Sequence, residues 1–341
     1  MKPTEDRYSR QRLFAEIGDE GQTRVRAGHA VVVGLGALGC PAAALLVRAG
    51  VGHVTLIDRD IVEWTNLQRQ TLFTEHDAAN GSAKSAAAAT ALGAANSDVR
   101  LTPHVRDLDS TNVDLLLADA DVVVDGTDNF AVRFLINDWC VRESRPWIYA
   151  AAVGANGLLM PVLPGTTPCL RCVFESPPPA GSTETCDTAG VLGPVTSIVG
   201  ALAALEALKI VAGRRDAVRR GLLSLDLWPG DIRSIDMQTR RDDCPCCGAR
   251  TFPFLERRPG GATALCGRDA VQVTPTSDAP FEFESVRQRL TRVTEVRDAG
   301  SLLRFDSGGL TITLFEDGRA IVHGTHDESR ARSVYDRLVG T

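Results

Sequence analysis

Lysine is almost missing from this sequence. Only Lys2, Lys84 and Lys209 occur in 341 residues, so positive charge rests on arginine. Aromatic residues are scarce at 5%, and 43 acidic residues outweigh 37 basic ones, for a net charge of −6. That balance argues against a general nucleic-acid or membrane-surface binder. One basic stretch, Arg214, Arg215, Arg219 and Arg220, reads as solvated surface. Residues 1–12 are charged and hold no apolar core of a secretory signal. The longest apolar run, 195–213, carries Glu206 and Lys209, which suits a core helix better than a bilayer span of about 20 apolar residues. A cytoplasmic protein with no membrane or nucleic-acid partner is expected. No internal repeat or low-complexity tract is apparent.

The main body alternates strands with helices. After a polar, helical arm (1–28) come a short apolar strand, a glycine turn, an apolar helix and a second strand ending at Asp58. An alanine-rich helical stretch follows at 81–95, then a strand at 99–105, the buried strand ADVVVD, a helix at 132–143 and the strand PWIYAAAVG. Such alternation predicts an α/β fold with a parallel sheet and helices on both faces. From residue 158 the strands shorten, and the loop SPPPAGSTET should be exposed and mobile. The expected division is the arm 1–28, a main domain 29–250, a linker 251–263 containing RRPGG, and a small α+β domain 264–341. That last domain should hold a strand at 270–273, a helix at 283–293, three strands broken by SGG and EDG turns, and a final helix.

Gly34, Gly36 and Gly39 form G-x-G-x-x-G between the first strand and its helix. Glycines let a phosphate or adenosine approach the backbone, and the helix N-terminus offers unpaired N–H groups. Asp58 ends the next strand, where an acid can bond ribose hydroxyls. A nucleotide is strongly indicated; NAD in particular is not. Asp60, Thr65, Asn66, Leu67, Gln68, Arg69 and Gln70 follow at the strand's C-terminal end, where open α/β sheets bind ligands. Lys84 lies near this pocket, although a solvated helix lysine is an equally good reading of composition. Asp125 and Asp128 flank Gly126-Thr127 after a run of valines. They suit Mg²⁺ held beside substrate phosphates, or Asp128 is simply the N-cap of the next helix.

Nine cysteines in a reducing compartment imply metal binding, catalysis or burial rather than disulfides. Cys169-x-x-Cys172 and Cys244-x-x-Cys247 have the spacing of a closed tetrahedral zinc site. Cys246 lies between the second pair and its part is open; a thioredoxin-like redox pair lacks its usual setting. Cys186 follows the proline-rich loop near a helix start, which favours a nucleophilic thiol. Cys40, Cys140 and Cys266 read as structural.

Seven segments in order, DRYSRQ, VVVGLGALGC, LIDRDIVEWTNLQRQ, DGTDNF, CLRC, TCDTAGVLGP and CPCC, resemble the ubiquitin-activating-enzyme family, closest to the bacterial MoeB/ThiF adenylyltransferases. The resemblance spans about 7–248. It implies a Rossmann-like, mostly parallel sheet with an antiparallel extension carrying the zinc site. It also implies ATP-dependent adenylation of the C-terminal glycine of a small ubiquitin-like sulfur carrier ending in Gly-Gly, with release of pyrophosphate. Arg69 and Lys84 would contact phosphates and Asp128, beside Asn129, would hold Mg²⁺. Asp58 and Asn66 would take the ribose and neighbouring phosphate, and Arg10 would reach into the ATP site of a second copy in a homodimer. Cys186 matches a cysteine that can take the activated carrier covalently. Where relatives often have GxGGxG, this chain has Ala37, whose methyl should be tolerable between Gly36 and Gly39. The tail shows no rhodanese pattern, so sulfur would come from a separate donor protein. An NAD-dependent oxidoreductase would leave Arg10, Arg69, Lys84, Asp128 and the paired cysteines without roles. A tRNA-modifying adenylating dehydratase generally lacks the cysteine pairs, and an inactive scaffold subunit would have lost the cations.

Overall fold

The computed structural model describes residues 6–178, 186–237, 240–256, 262–264, 269–275, 281–300 and 302–339. It divides into two compact units, Met1–Ala79 with Lys84–Arg257 and Asn80–Ala83 with Arg258–Thr341.

The first unit opens with helices α1 (Ser9–Arg12) and α2 (Gly18–Ala27). Its strands are β1 (His29–Val33), β2 (His53–Ile57), β3 (Arg100–His104), β4 (Val122–Asp125), β5 (Trp147–Val153), β6 (Asn156–Val162), β7 (Gly221–Asp226) and β8 (Asp231–Asp236). They form one sheet in the order β3-β2-β1-β4-β5-β6-β7-β8. The first five are parallel, with Ala30 level with both Val54 and Val122; β6, β7 and β8 add on antiparallel. The central strands are runs of buried valine because helices cover both faces of the sheet. On one face lie α3 (Gly39–Ala49), α4 (Glu75–Asn80), α5 (Lys84–Ala95) and, after the short turns described below, a 19-residue apolar helix at Gly193–Val211. On the other lie α6 (Val113–Leu117) and α7 (Phe130–Arg142). Two single turns, α8 (Leu170–Val173) and α9 (Cys186–Ala189), precede that long helix, α10, and α11 (Pro253–Glu256) closes the unit. α10 is apolar and long enough to cross a bilayer, but Val195, Val199, Ala203, Ala207 and Ile210 are in the core.

The second unit is an antiparallel sheet of β9 (Ala262–Ala264), β10 (Ala270–Val273), β11 (Val296–Asp298), β12 (Leu302–Ser307), β13 (Leu310–Phe315) and β14 (Ala320–His323), ordered β11-β12-β13-β14-β10-β9. α12 (Phe283–Leu290) and α13 (Glu328–Leu338) pack Val286, Leu290, Val334 and Tyr335 onto Val271, Phe305, Ile312 and Leu314.

The mixed α/β architecture is as expected; several boundaries moved. The helix expected from 81 starts at Lys84, where its N–H bonds the Asp60 carbonyl at 2.9 Å. α10 begins two residues early because Pro194 suits the first turn, and α12 stops at Leu290 rather than 293. Most of the proline-rich loop, RRPGG and Cys266 lie outside the described residues. The basic stretch at 214–220 is surface: Arg214 pairs with Glu16 and Asp216, and Arg219 donates to Ser234 Oγ at 2.9 Å.

Candidate functional site

The C-terminal ends of the parallel strands bring the nucleotide motif together. Leaving β1, the chain turns at Gly34 with φ +84°, a left-handed conformation that glycine adopts freely. A Cβ there would stand 2.9 Å from Gly126 backbone, and one on Gly39 would stand 1.8 Å from the Gly34 carbonyl. Both glycines are therefore required by the fold itself. Gly36 is different. Its Cβ would meet nothing closer than the Gly126 carbonyl at 3.8 Å and Gln70 Nε2 at 3.9 Å. The space above Gly36 is an open cradle in which backbone can meet a phosphate or sugar.

Asp58 leaves β2 beside this turn. Its carboxylate accepts from Leu35 N at 2.6 Å and from Asp60 N at 2.7 Å, so it braces the glycine turn while keeping lone pairs for a ligand. Burial pushes the Asp58 carboxyl above its usual range, against the opposing pull of Lys84. Lys84 is buried at the start of α5, with Nζ 3.4 Å from Asp60 Oδ2. It is thus not the solvated helix lysine that composition allowed. Arg59, to which no role had been given, donates to Asp107 at 3.0 Å; burial works against its charge, but Asp107 and Asp60 outweigh it and hold it protonated.

Asn66 is buried and its Oδ1 accepts from Glu63 N at 3.0 Å, which fixes the turn that carries Arg69. Arg69 donates to the Thr65 carbonyl at 2.8 Å and has no carboxylate partner among the described residues. Thr65 and Gln68 are exposed, whereas the Leu67 side chain packs against the core. Ala37 sits in the glycine turn, partly exposed.

Of the two acids after β4, only one is available. Asp125 is fully buried, accepting from Thr127 N, Thr127 Oγ1 and Arg133 Nε at 2.9, 2.7 and 3.0 Å. Arg133 also donates to the Thr127 and Ala150 carbonyls, so this pair shapes the turn and leaves Asp125 no place for Mg²⁺. Asp128 is exposed, and it is not the N-cap: Asn129 is, accepting from Ala131 N at 2.8 Å. An arginine inside the apolar helix α7 was the available sign of Arg133.

Cys186 opens α9, its Sγ 3.2 Å from the Ala152 carbonyl near the end of β5. The segment after it is stitched to the same edge, Gly154 N to Gly190 O at 2.8 Å and Leu192 N to Gly154 O at 3.1 Å. Gly193 then packs so closely that a Cβ would stand 2.9 Å from the Gln68 carbonyl. Arg10 is not brought into this cluster. Its helix is pinned at the far ends of α3 and α5, by Gln11 Nε2 donating to the Ala49 carbonyl at 3.0 Å and Asn96 Nδ2 donating to the Tyr8 hydroxyl at 2.8 Å. α5 alone spans about 18 Å from Lys84 to there. Arg10 points outward, exposed and without a partner among the described residues.

On the opposite face of the sheet Cys169, Cys172, Cys244 and Cys247 place their sulfurs within 4.8 Å of one another. Three of these separations are 3.9, 3.7 and 3.4 Å, close to the ~3.8 Å edge of a tetrahedron with Zn–S near 2.3 Å. The hydrogen bond with Cys169 pushes Cys172 up to about 12, and burial does the same for Cys247. A soft dication is the group that converts such crowded thiols to thiolates, so the donor set fits zinc. Cys246 stays outside the cluster and accepts from Asn137 Nδ2 at 3.2 Å; Asn137 Oδ1 in turn accepts from Leu170 N at 2.8 Å. Asn137 therefore ties both knuckles to α7. Cys40 and Cys140 are buried, as expected of structural residues.

Comparison with known proteins agrees with this geometry. Residues 8–246 match the ThiF family. A Bacillus subtilis protein named sulfur carrier protein ThiS adenylyltransferase is 42% identical over 98% of this chain and 99% of its own. The Bos taurus adenylyltransferase and sulfurtransferase MOCS3 is 44% identical over 72% of this chain, which spans 53% of that protein. Among solved structures, Escherichia coli MccB with ATP superposes with a TM-score of 0.63 at 25% identity, covering 72% of this chain and 75% of that one.

Proposed function

The chain belongs to the ThiF family, and we propose on that premise that it is an adenylyltransferase of ThiS- or MoaD-type sulfur carriers. ATP occupies the glycine turn, the carrier's C-terminal glycine carboxylate attacks the α-phosphate, and pyrophosphate leaves. The observation that carries this reading is the Gly36 cradle on a turn braced by Asp58, whose carboxyl feels the charge of the buried Lys84. An open backbone and a desolvated cation are what an anion attacking an anion requires.

In this reading Asp58 and Asn66 hold the ribose and adjoining phosphate, and Lys84 and Arg69 face the phosphates. Asp128 is the residue to hold a Mg²⁺ ion, which would add Lewis-acid charge at the leaving pyrophosphate. Arg10, pinned away from its own pocket, serves the pocket of a second copy in a homodimer. The four-cysteine site binds zinc and stays closed to substrate. Cys186, on the same sheet edge as the nucleotide site, accepts the activated carrier, and sulfur comes from a separate donor protein. Residues 264–341 form a domain that holds the carrier or the dimer, and the protein works in the cytoplasm.

The reaction is tested by ATP–pyrophosphate exchange with candidate carriers ending in Gly-Gly. Exchange should depend on a carrier, and Lys84→Ala and Asp128→Ala should each lower it by about a hundredfold or more. No exchange with any such carrier would overturn the reading, and near-wild-type exchange in either variant would remove that residue from the mechanism.

A further inference from the structure

Polar groups around the nucleotide turn are nearly all committed within the chain. Asp58 serves two backbone amides, Asp125 serves Arg133 and Thr127, and Asn66 Oδ1 serves Glu63 N. Gln70 is an exception. Only 4% of it is exposed, yet its Oε1 is buried with no hydrogen-bond partner among the described residues. Such a group is costly to fold and calls for an explanation from outside the chain. Its backbone is fixed, with N donating to Asn66 O at 2.9 Å and O accepting from Phe73 N at 3.3 Å. The side chain runs to the glycine turn, where Nε2 stands 3.9 Å from the position of a Cβ on Gly36. With the Gly126 carbonyl 3.8 Å from the same position, Gln70 lines the cradle.

We propose that Gln70 is a nucleotide-binding residue, Nε2 donating to a phosphoryl oxygen that enters over Gly36 and Oε1 accepting from a hydroxyl of the same ligand. A carboxamide presents a donor and an acceptor side by side. Bare phosphate ions offer mainly acceptors, whereas a nucleoside triphosphate carries sugar hydroxyls beside its phosphates. The inference rests on the reading that ATP occupies this turn.

The test compares wild type with Gln70→Met and Gln70→Glu in the full-length chain. ATP affinity is measured with magnesium by calorimetry, and melting temperature is measured without nucleotide. Methionine keeps the shape and removes the unpaired oxygen, so the ligand-free protein should melt no lower than wild type while ATP binds about tenfold to a hundredfold more weakly. Glutamate keeps an acceptor but replaces the donor with negative charge, and should weaken ATP at least as much. ATP affinity of Gln70→Met within about twofold of wild type would overturn the proposal. So would a lower melting temperature of that variant without nucleotide, which marks a structural role. Absence of ATP binding by the wild type would instead overturn the reading of the turn as an ATP site.

Discussion

The two ends of α7 are finished in opposite ways. At its N-terminal end Asp128 is exposed, and across the strand edge the Gly36 cradle and the Gln70 amide are left incomplete. Toward its C-terminal end Asn137 joins the two cysteine knuckles, whose four sulfurs crowd within 4.8 Å of one another, with the Cys246 thiol beside Cys169. A site that turns over substrate must keep groups unfilled until the substrate arrives, while a site that holds the fold fills every position. Incompleteness is therefore the mark expected of a reactive end, and it lies at the end proposed to bind the nucleotide.

The sharpest way to break this contrast is to empty the filled end. Cys169→Ser should reduce zinc from about one per chain to almost none and destabilise the protein by roughly 4 kcal/mol or more, read by metal analysis and chemical unfolding. Wild-type protein with far less than one zinc per chain would remove the distinction between the two ends.

A smaller effect separates two glycines within the open end. Gly39→Ala drives a methyl into the Gly34 carbonyl and should cost about 1–3 kcal/mol of stability. Gly36→Ala finds room in the ligand-free fold, so its melting temperature should hold while ATP binding weakens by about tenfold or more. If both variants lose stability alike, the cradle is ordinary packing.

The smallest effect lies away from both sites, at the N-terminal edge of the sheet. His29 and His53 stack there with ring centroids 3.8 Å apart, near Asp119, Asp121 and Arg100. Burial lowers both, His53 to about 4. The unfolded chain, with histidines near 6.5, then binds more protons than the folded one between those values. Their contribution to stability is full above about pH 6.5 and falls as the pH drops toward 4. His53→Gln should flatten that part of an unfolding-against-pH curve, and an unchanged slope would show that the stack is not responsible.

The glycine turn, the strand-ending Asp58 that braces it and, apart from them, the paired cysteines are legible in the sequence because each acts through local geometry. The roles of Asp125 and Asp128 are not, since the two acids of one turn look alike until Arg133 arrives from α7 to claim Asp125. Nor does G-x-G-x-x-G reveal that backbone crowds Gly34 and Gly39 while the space at Gly36 stays open; that needs the positions of Gly126 and Gln70. Asn137 and Gln70 act across long sequence separations, where periodicity carries no information.

The stitch between Gly190 and Gly154 sets a leash on Cys186. Four residues of extended chain reach about 14 Å at most, so on that side the thiol can sweep only a small sphere around the end of β5. If Cys186 accepts the activated carrier as proposed, the acyl group must be delivered into that sphere, and the travelling component would be the tail of the carrier rather than the cysteine.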